Sequence, residues 1–164
     1  MATRASWHAE NVAFENQAAI PQLTVVNGRL VLAFDAATDE LCVLKGVAPQ
    51  GLTGTGTLVV QGFMASAVAN TVGLRAAVEA LTPGDAVDED AAESYDAENY
   101  ATSAAVPGTA GYPFSVTITL TNGDSLAAGD KFRIRFGRDA DGTGSTDSAT
   151  GDLYVDAIEF RDGA

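Results

Sequence analysis

Cysteine is nearly absent: Cys42 is the only one in the chain. An intrachain disulfide is therefore excluded, and a zinc site built on thiolates would have to recruit other ligand types. Basic residues are scarce as well, with 9 Lys and Arg against 22 Asp and Glu, giving a formal charge of -13. The lysines are Lys45 and Lys131 alone. Such a surface repels a phosphate backbone, because nucleic-acid binding depends on cations that displace condensed counterions. The one basic cluster, Arg133, Arg135 and Arg138, sits on a strand and its exit, where nearby carboxylates are natural partners. Nucleic acid is excluded as a partner on this ground. No apolar run of about 18 residues occurs, so no helix is expected to cross a bilayer. The first twenty residues carry Glu10 and Glu15 in place of a signal peptide's apolar stretch, so a soluble, unprocessed chain is expected.

Catalytic signatures are missing too. His8 is the only histidine and Trp7 the only tryptophan. There is no Gly-x-Ser-x-Gly elbow, no His-Glu-x-x-His and no Walker-type phosphate loop. The expectation is a protein that is not an enzyme, with no catalytic residues and no cofactor.

What is present is alternation. At 164 residues the chain suits one domain that buries roughly 70% of its unfolded surface. In Phe114-Ser115-Val116-Thr117-Ile118-Thr119-Leu120, apolar residues point one way and hydroxyls the other, as a half-buried antiparallel strand requires. Lys131 to Phe136 repeats the period with arginines on the wet face. Residues 22–26 and 29–34 flank Asn27-Gly28 and read as a hairpin, since both turn residues tolerate positive φ. Further strands are expected over 40–47, 57–64 and near 100–106. Val72 to Leu81 fits either a helix or a strand, and strand is preferred on pattern and flanking glycine. In the last strand, 153–160, the apolar residues change parity at Asp156. A bulge there would bury both halves. The whole predicts an all-β fold of about eight antiparallel strands, as a sandwich or barrel, over residues 29–164. Residues 1–28 lack sustained alternation before Leu23 and read as an extended N-terminal arm.

Two acidic segments offer themselves as sites. The Asp139-Ala140-Asp141-Gly142-Thr143-Gly144-Ser145-Thr146-Asp147 run begins as an EF-hand loop does, with a glycine at its sixth position, yet Thr150 stands where the twelfth-position Glu belongs. Asp139, Asp141 and Asp147 are thus the candidate calcium ligands, against the alternative of an acidic turn without metal. The connection from Asp85 to Glu98 holds seven carboxylates. It reads either as a partner-facing or cation-binding loop or, preferably, as a solvated link with Tyr95 and Tyr100 able to anchor it.

Several short motifs occur in an order that resembles small structural proteins of tailed bacteriophages. They are Ala80-Leu81-Thr82-Pro83-Gly84-Asp85, Val106-Pro107-Gly108-Thr109-Ala110-Gly111, Thr119 to Asp130, and Arg138-Asp139-Ala140-Asp141 followed by Ala149-Thr150-Gly151-Asp152. The resemblance covers about residues 55–162 and only loosely the first fifty. It implies a jelly-roll-like β-sandwich acting as a virion component. As a capsid decoration (auxiliary head) protein, the chain would sit on the capsid exterior, as a homotrimer, and bind the major capsid protein. Its arm, with Trp7, His8 and Phe14, would supply the partner contact. The alternative is a head or tail fibre module that binds a host surface or carbohydrate, a role jelly rolls also serve.

Overall fold

The computed structural model of the protein describes residues 2–15, 18–67 and 69–163. Among them ten strands form: β1 (Thr3–His8), β2 (Gln22–Val26), β3 (Arg29–Phe34), β4 (Leu41–Val47), β5 (Thr57–Met64), β6 (Gly73–Leu81), β7 (Asn99–Thr102), β8 (Pro113–Thr119), β9 (Lys131–Arg138) and β10 (Leu153–Arg161). Every pairing is antiparallel. The larger sheet runs β2-β3-β10-β5-β8, with β1 beside β10, and the smaller runs β4-β9-β6-β7. The all-β sandwich that alternation allows, jelly-roll-like as the resemblance implies, is what the chain forms.

The two inner faces meet in one apolar cluster. Aromatic rings lock the layers together: Phe34 meets Phe136 edge to face at 5.6 Å, and Phe132 of the small sheet lies 5.8 Å from Phe160 of the large one. Edge-to-face rings set the positive rim of one against the negative face of the other. The hairpin turn is as expected, with Asn27 and Gly28 both at positive φ (48° and 77°), the geometry of a type I′ turn.

β6 resolves as a strand because it is buried on both sides between β9 and β7. Leu74, Ala76 and Val78 face the core, and Ala77 and Glu79 are buried on the outer side. On β10 the register against β5 shifts between Val155 and Ala157. This irregularity is the expected bulge, and it turns Leu153 and Val155 as well as Ile158 and Phe160 inward.

The arm expected over residues 1–28 is corrected. Thr3–His8 is an integral strand on β10, with Trp7 opposite Ile158. Trp7 is only 5% exposed, packs edge to face on Phe132 at 6.0 Å, and donates its indole N–H to the Lys45 carbonyl at 3.1 Å. The chain then crosses to the other sheet, where Ala13 bridges Val43. Burying the largest side chain of the segment is the force that holds it down. β1 escaped sequence reading because its one core anchor, Trp7, sets no period.

Candidate functional site

The outer face of the larger sheet is built from the alternate parity of three adjacent strands. β5 presents Gln61 and Phe63, opposite Ser115 and Pro113 of β8. From β10 come Tyr154, whose ring meets Phe63 edge to face at 5.4 Å, and beyond the bulge Glu159 and Arg161. Glu159 is the hub of the polar part. Its carboxylate accepts from Arg161 Nε (2.8 Å), Thr3 Oγ1 (2.9 Å) and Gln61 Nε2 (2.9 Å). Arg161 foremost, then Thr3, hold its carboxyl below the usual range.

Two troughs cross this face. One of about 470 Å³ is lined by Gln61, Ser115, Thr117 and Arg161. The other, about 240 Å³, runs past Asn27, Arg29 and Phe63. Pro113 and Asp156 line both, so the two adjoin there and together make up a furrow. Tyr112, 60% exposed, lies between the lining residues Gly111 and Pro113. A separate depression of about 430 Å³ opens at one end of the sandwich and is lined by no charged side chain. The furrow therefore combines aromatic rings with amide, hydroxyl, carboxylate and guanidinium groups, and its chemistry is hydrogen bonding and ring contact. His8 lies exposed near its edge with Nδ1 3.2 Å from the Asp156 carbonyl.

Of the three expected contact residues, Trp7 is in the core, while His8 and Phe14 are at the surface, Phe14 40% exposed. Trp7 is not available to a partner without unfastening β1.

The acidic connection after β6 folds back over the small sheet. Glu79, 2% exposed, accepts from Ser94 N at 2.7 Å and from Arg133 Nη1 at 2.8 Å. The Tyr95 ring faces both Arg133 and Arg135 at 5.3 and 4.8 Å. Burial pushes the Tyr95 hydroxyl up to about 12. Arg133 also pairs with Glu15 and Glu93, Arg135 with Glu98, and Lys131 with Glu89. The basic stripe is thus spent inside the molecule. Tyr95 anchors the loop, whereas Tyr100 lies against Gly144 instead.

The β9–β10 loop separates its three aspartates. Asp147 is committed to the buried Arg138, with Nε to Oδ2 at 2.7 Å and Nη2 to Oδ1 at 2.9 Å. Arg138 also donates to the carbonyls of Ala149 and Gly151. Asp139 and Asp141 instead come together with Asp39 from the β3–β4 turn, one carboxylate oxygen of each lying within 4.8 Å of the others. Asp39 was not legible as a member, because nothing local in the β3–β4 turn marks it as a neighbour of a loop 100 residues further on. Asp141 is held below the usual carboxylate range by hydrogen bonds from the Thr143 hydroxyl and amide.

No protein-family model matches the chain, and no curated protein matches it in sequence. Solved structures do match its fold. The CBM36-1 domain of a multidomain xylanase from the hindgut metagenome of Trinervitermes trinervoides aligns over 98% of each chain, at 10% identity and a TM-score of 0.51. A CBM35 from Cellvibrio japonicus Abf62 aligns over 98% of this chain and 95% of that one, at 11% identity and a TM-score of 0.51. The chain thus has the β-sandwich fold of carbohydrate-binding-module domains, and neither structure carries a link to phage heads.

Proposed function

We propose that the protein is a non-catalytic binding module that recognises carbohydrate through the furrow on the larger sheet. The observation that carries this reading is the furrow itself. Phe63 in its lining, backed edge to face by Tyr154 and with Tyr112 exposed next to the lining residue Pro113, supplies ring surface for the C–H faces of a sugar, and Gln61, Ser115, Thr117 and Asp156 supply donors and acceptors for its hydroxyls. Support also comes from the size match: the chain aligns with two carbohydrate-binding-module domains over nearly their whole length. At -13 net charge a neutral polysaccharide is the favoured class, since a polyuronate would be repelled.

The competing reading, a homotrimeric decoration protein on the capsid exterior, rests on the order of its turn motifs. It loses its N-terminal arm to β1, and with it Trp7 as a contact. Electrophoresis in native gels containing xylan, arabinan or galactan tests the carbohydrate reading. Retardation by at least one polymer, weakened tenfold or more by Gln61→Ala or Phe63→Ala, is expected. Unchanged mobility in every gel, together with a glycan array without reproducible hits, would reverse the ranking.

A further inference from the structure

The β9–β10 loop carries a second, independent site. Asp139 is fully buried, and one of its oxygens, Oδ2, is saturated by Ser145 N (2.7 Å), Ser145 Oγ (2.6 Å) and Gly144 N (3.1 Å). The other, Oδ1, is buried with no hydrogen-bond partner. A buried, unpaired carboxylate oxygen is costly, and such an atom in a folded protein calls for a partner. The same carboxylate has one oxygen within 4.8 Å of an oxygen from each of two further carboxylates, Asp39 and Asp141. Three negative groups this close repel one another strongly unless a cation lies among them.

The positive charge in contact is Arg75, whose Nη2 reaches Asp39 Oδ2 at 3.3 Å. One guanidinium against three carboxylates leaves two charges uncompensated. The loop is otherwise preorganised. Thr143 N caps Asp141 Oδ1 at 2.9 Å, Asp141 N donates to Asp39 Oδ1 at 3.2 Å, and Gly142 sits at φ 66°, where a side chain would be strained.

We propose that Asp39, Asp139 and Asp141 bind a calcium ion that ties the β3–β4 turn to the β9–β10 loop. An all-oxygen, all-carboxylate set with no histidine or cysteine selects a hard cation. Irregular loop geometry suits calcium, which accepts flexible coordination, over magnesium, which demands a near-ideal octahedron. Asp147, the third aspartate of the EF-hand-like run, is replaced by Asp39 because Arg138 holds it.

The test is calorimetric titration of calcium chloride into the full chain after dialysis against chelator, with thermal melting in parallel. One saturable site is expected, and a melting temperature raised by about 5–10 °C at a hundredfold excess over Kd. Asp141→Asn and Asp39→Asn should each weaken binding at least tenfold. Asp139→Asn is less decisive, because its carboxylate also shapes the loop. Asp88→Asn, which removes the same charge from the exposed acidic connection, should leave the titration unchanged. Terbium offers a second readout: Tyr100, against Gly144 of the same loop, should sensitise its emission, and Tyr100→Phe should abolish most of it. Absence of heat and of any melting shift up to 10 mM calcium would overturn the proposal. So would equal loss of binding in Asp88→Asn, which would mark diffuse attraction to an acidic surface.

Discussion

Gly62 shows how a single residue sets a larger feature. A Cβ placed there would lie 2.2 Å from the Tyr154 carbonyl, where the bulged part of β10 presses on β5. The bulge and the glycine require each other. Gly62→Ala is expected to cost roughly 1–3 kcal/mol through overpacking, read as a lower denaturation midpoint with an unchanged slope. The parity change at Asp156 was legible in the sequence, but its glycine partner was not, since no local pattern says which β5 residue faces a bulge. Cys42 is the converse case, plain in sequence and settled by burial. Desolvation pushes its thiol up to about 12, so almost none is thiolate at pH 8. A thiol reagent at that pH should leave the native protein unlabelled and modify it stoichiometrically in denaturant. Rapid labelling of the native chain would show that β4 opens.

Among the elements, the strongly alternating strands were legible because one face of each is wet and the other dry. β1 and the β9–β10 loop were not, because long-range contacts decide them. Arg138 reads as the last of a three-arginine cluster, at the exit of its strand, yet its parity matches Phe132, Ile134 and Phe136, and it is fully buried. It holds the loop through Asp147 and two carbonyls. Arg138→Met should therefore destabilise by about 3–5 kcal/mol, chiefly by stranding the Asp147 carboxylate. Arg138→Met with Asp147→Leu removes both charges and is expected to recover a substantial part of that loss. Equal stability of the single and double variants in urea would show that the carbonyl contacts, not the ion pair, hold the loop.

For the molecule as a whole, the two ends of the described chain are fastened together at one carboxylate. Asp162, 5% exposed, accepts from Ala2 N at 2.6 Å and from Arg4 Nε at 2.8 Å. The Ala2 amide first, and Arg4 second, hold its carboxyl below the usual range. Glu159, on β10 beside β1, is lowered likewise, chiefly by Arg161. A carboxyl lowered on folding adds stability that is present above its unfolded value, roughly pH 4, and lost as pH falls through its folded one. Glu40 works in the opposite sense, because burial raises its carboxyl. Its ionisation above that unfolded value therefore costs stability, which acidification returns. Melting temperature should thus change little from pH 7 to 5 and fall below about pH 4. Because Trp7 is the only tryptophan and sits on β1 against Phe132, its fluorescence reports the docking of that strand. In Asp162→Asn the acid-dependent part of the Asp162 contribution is gone, and β1 is held less firmly at every pH. That variant should show a red-shifted, more quenchable Trp7 at neutral pH with the remaining sheet intact by circular dichroism. Wild-type Trp7 should reach the same state only on acidification. If Trp7 moves solely with global unfolding in both proteins, β1 belongs to the same cooperative unit as the core, and the clasp at Asp162 adds stability without gating the strand.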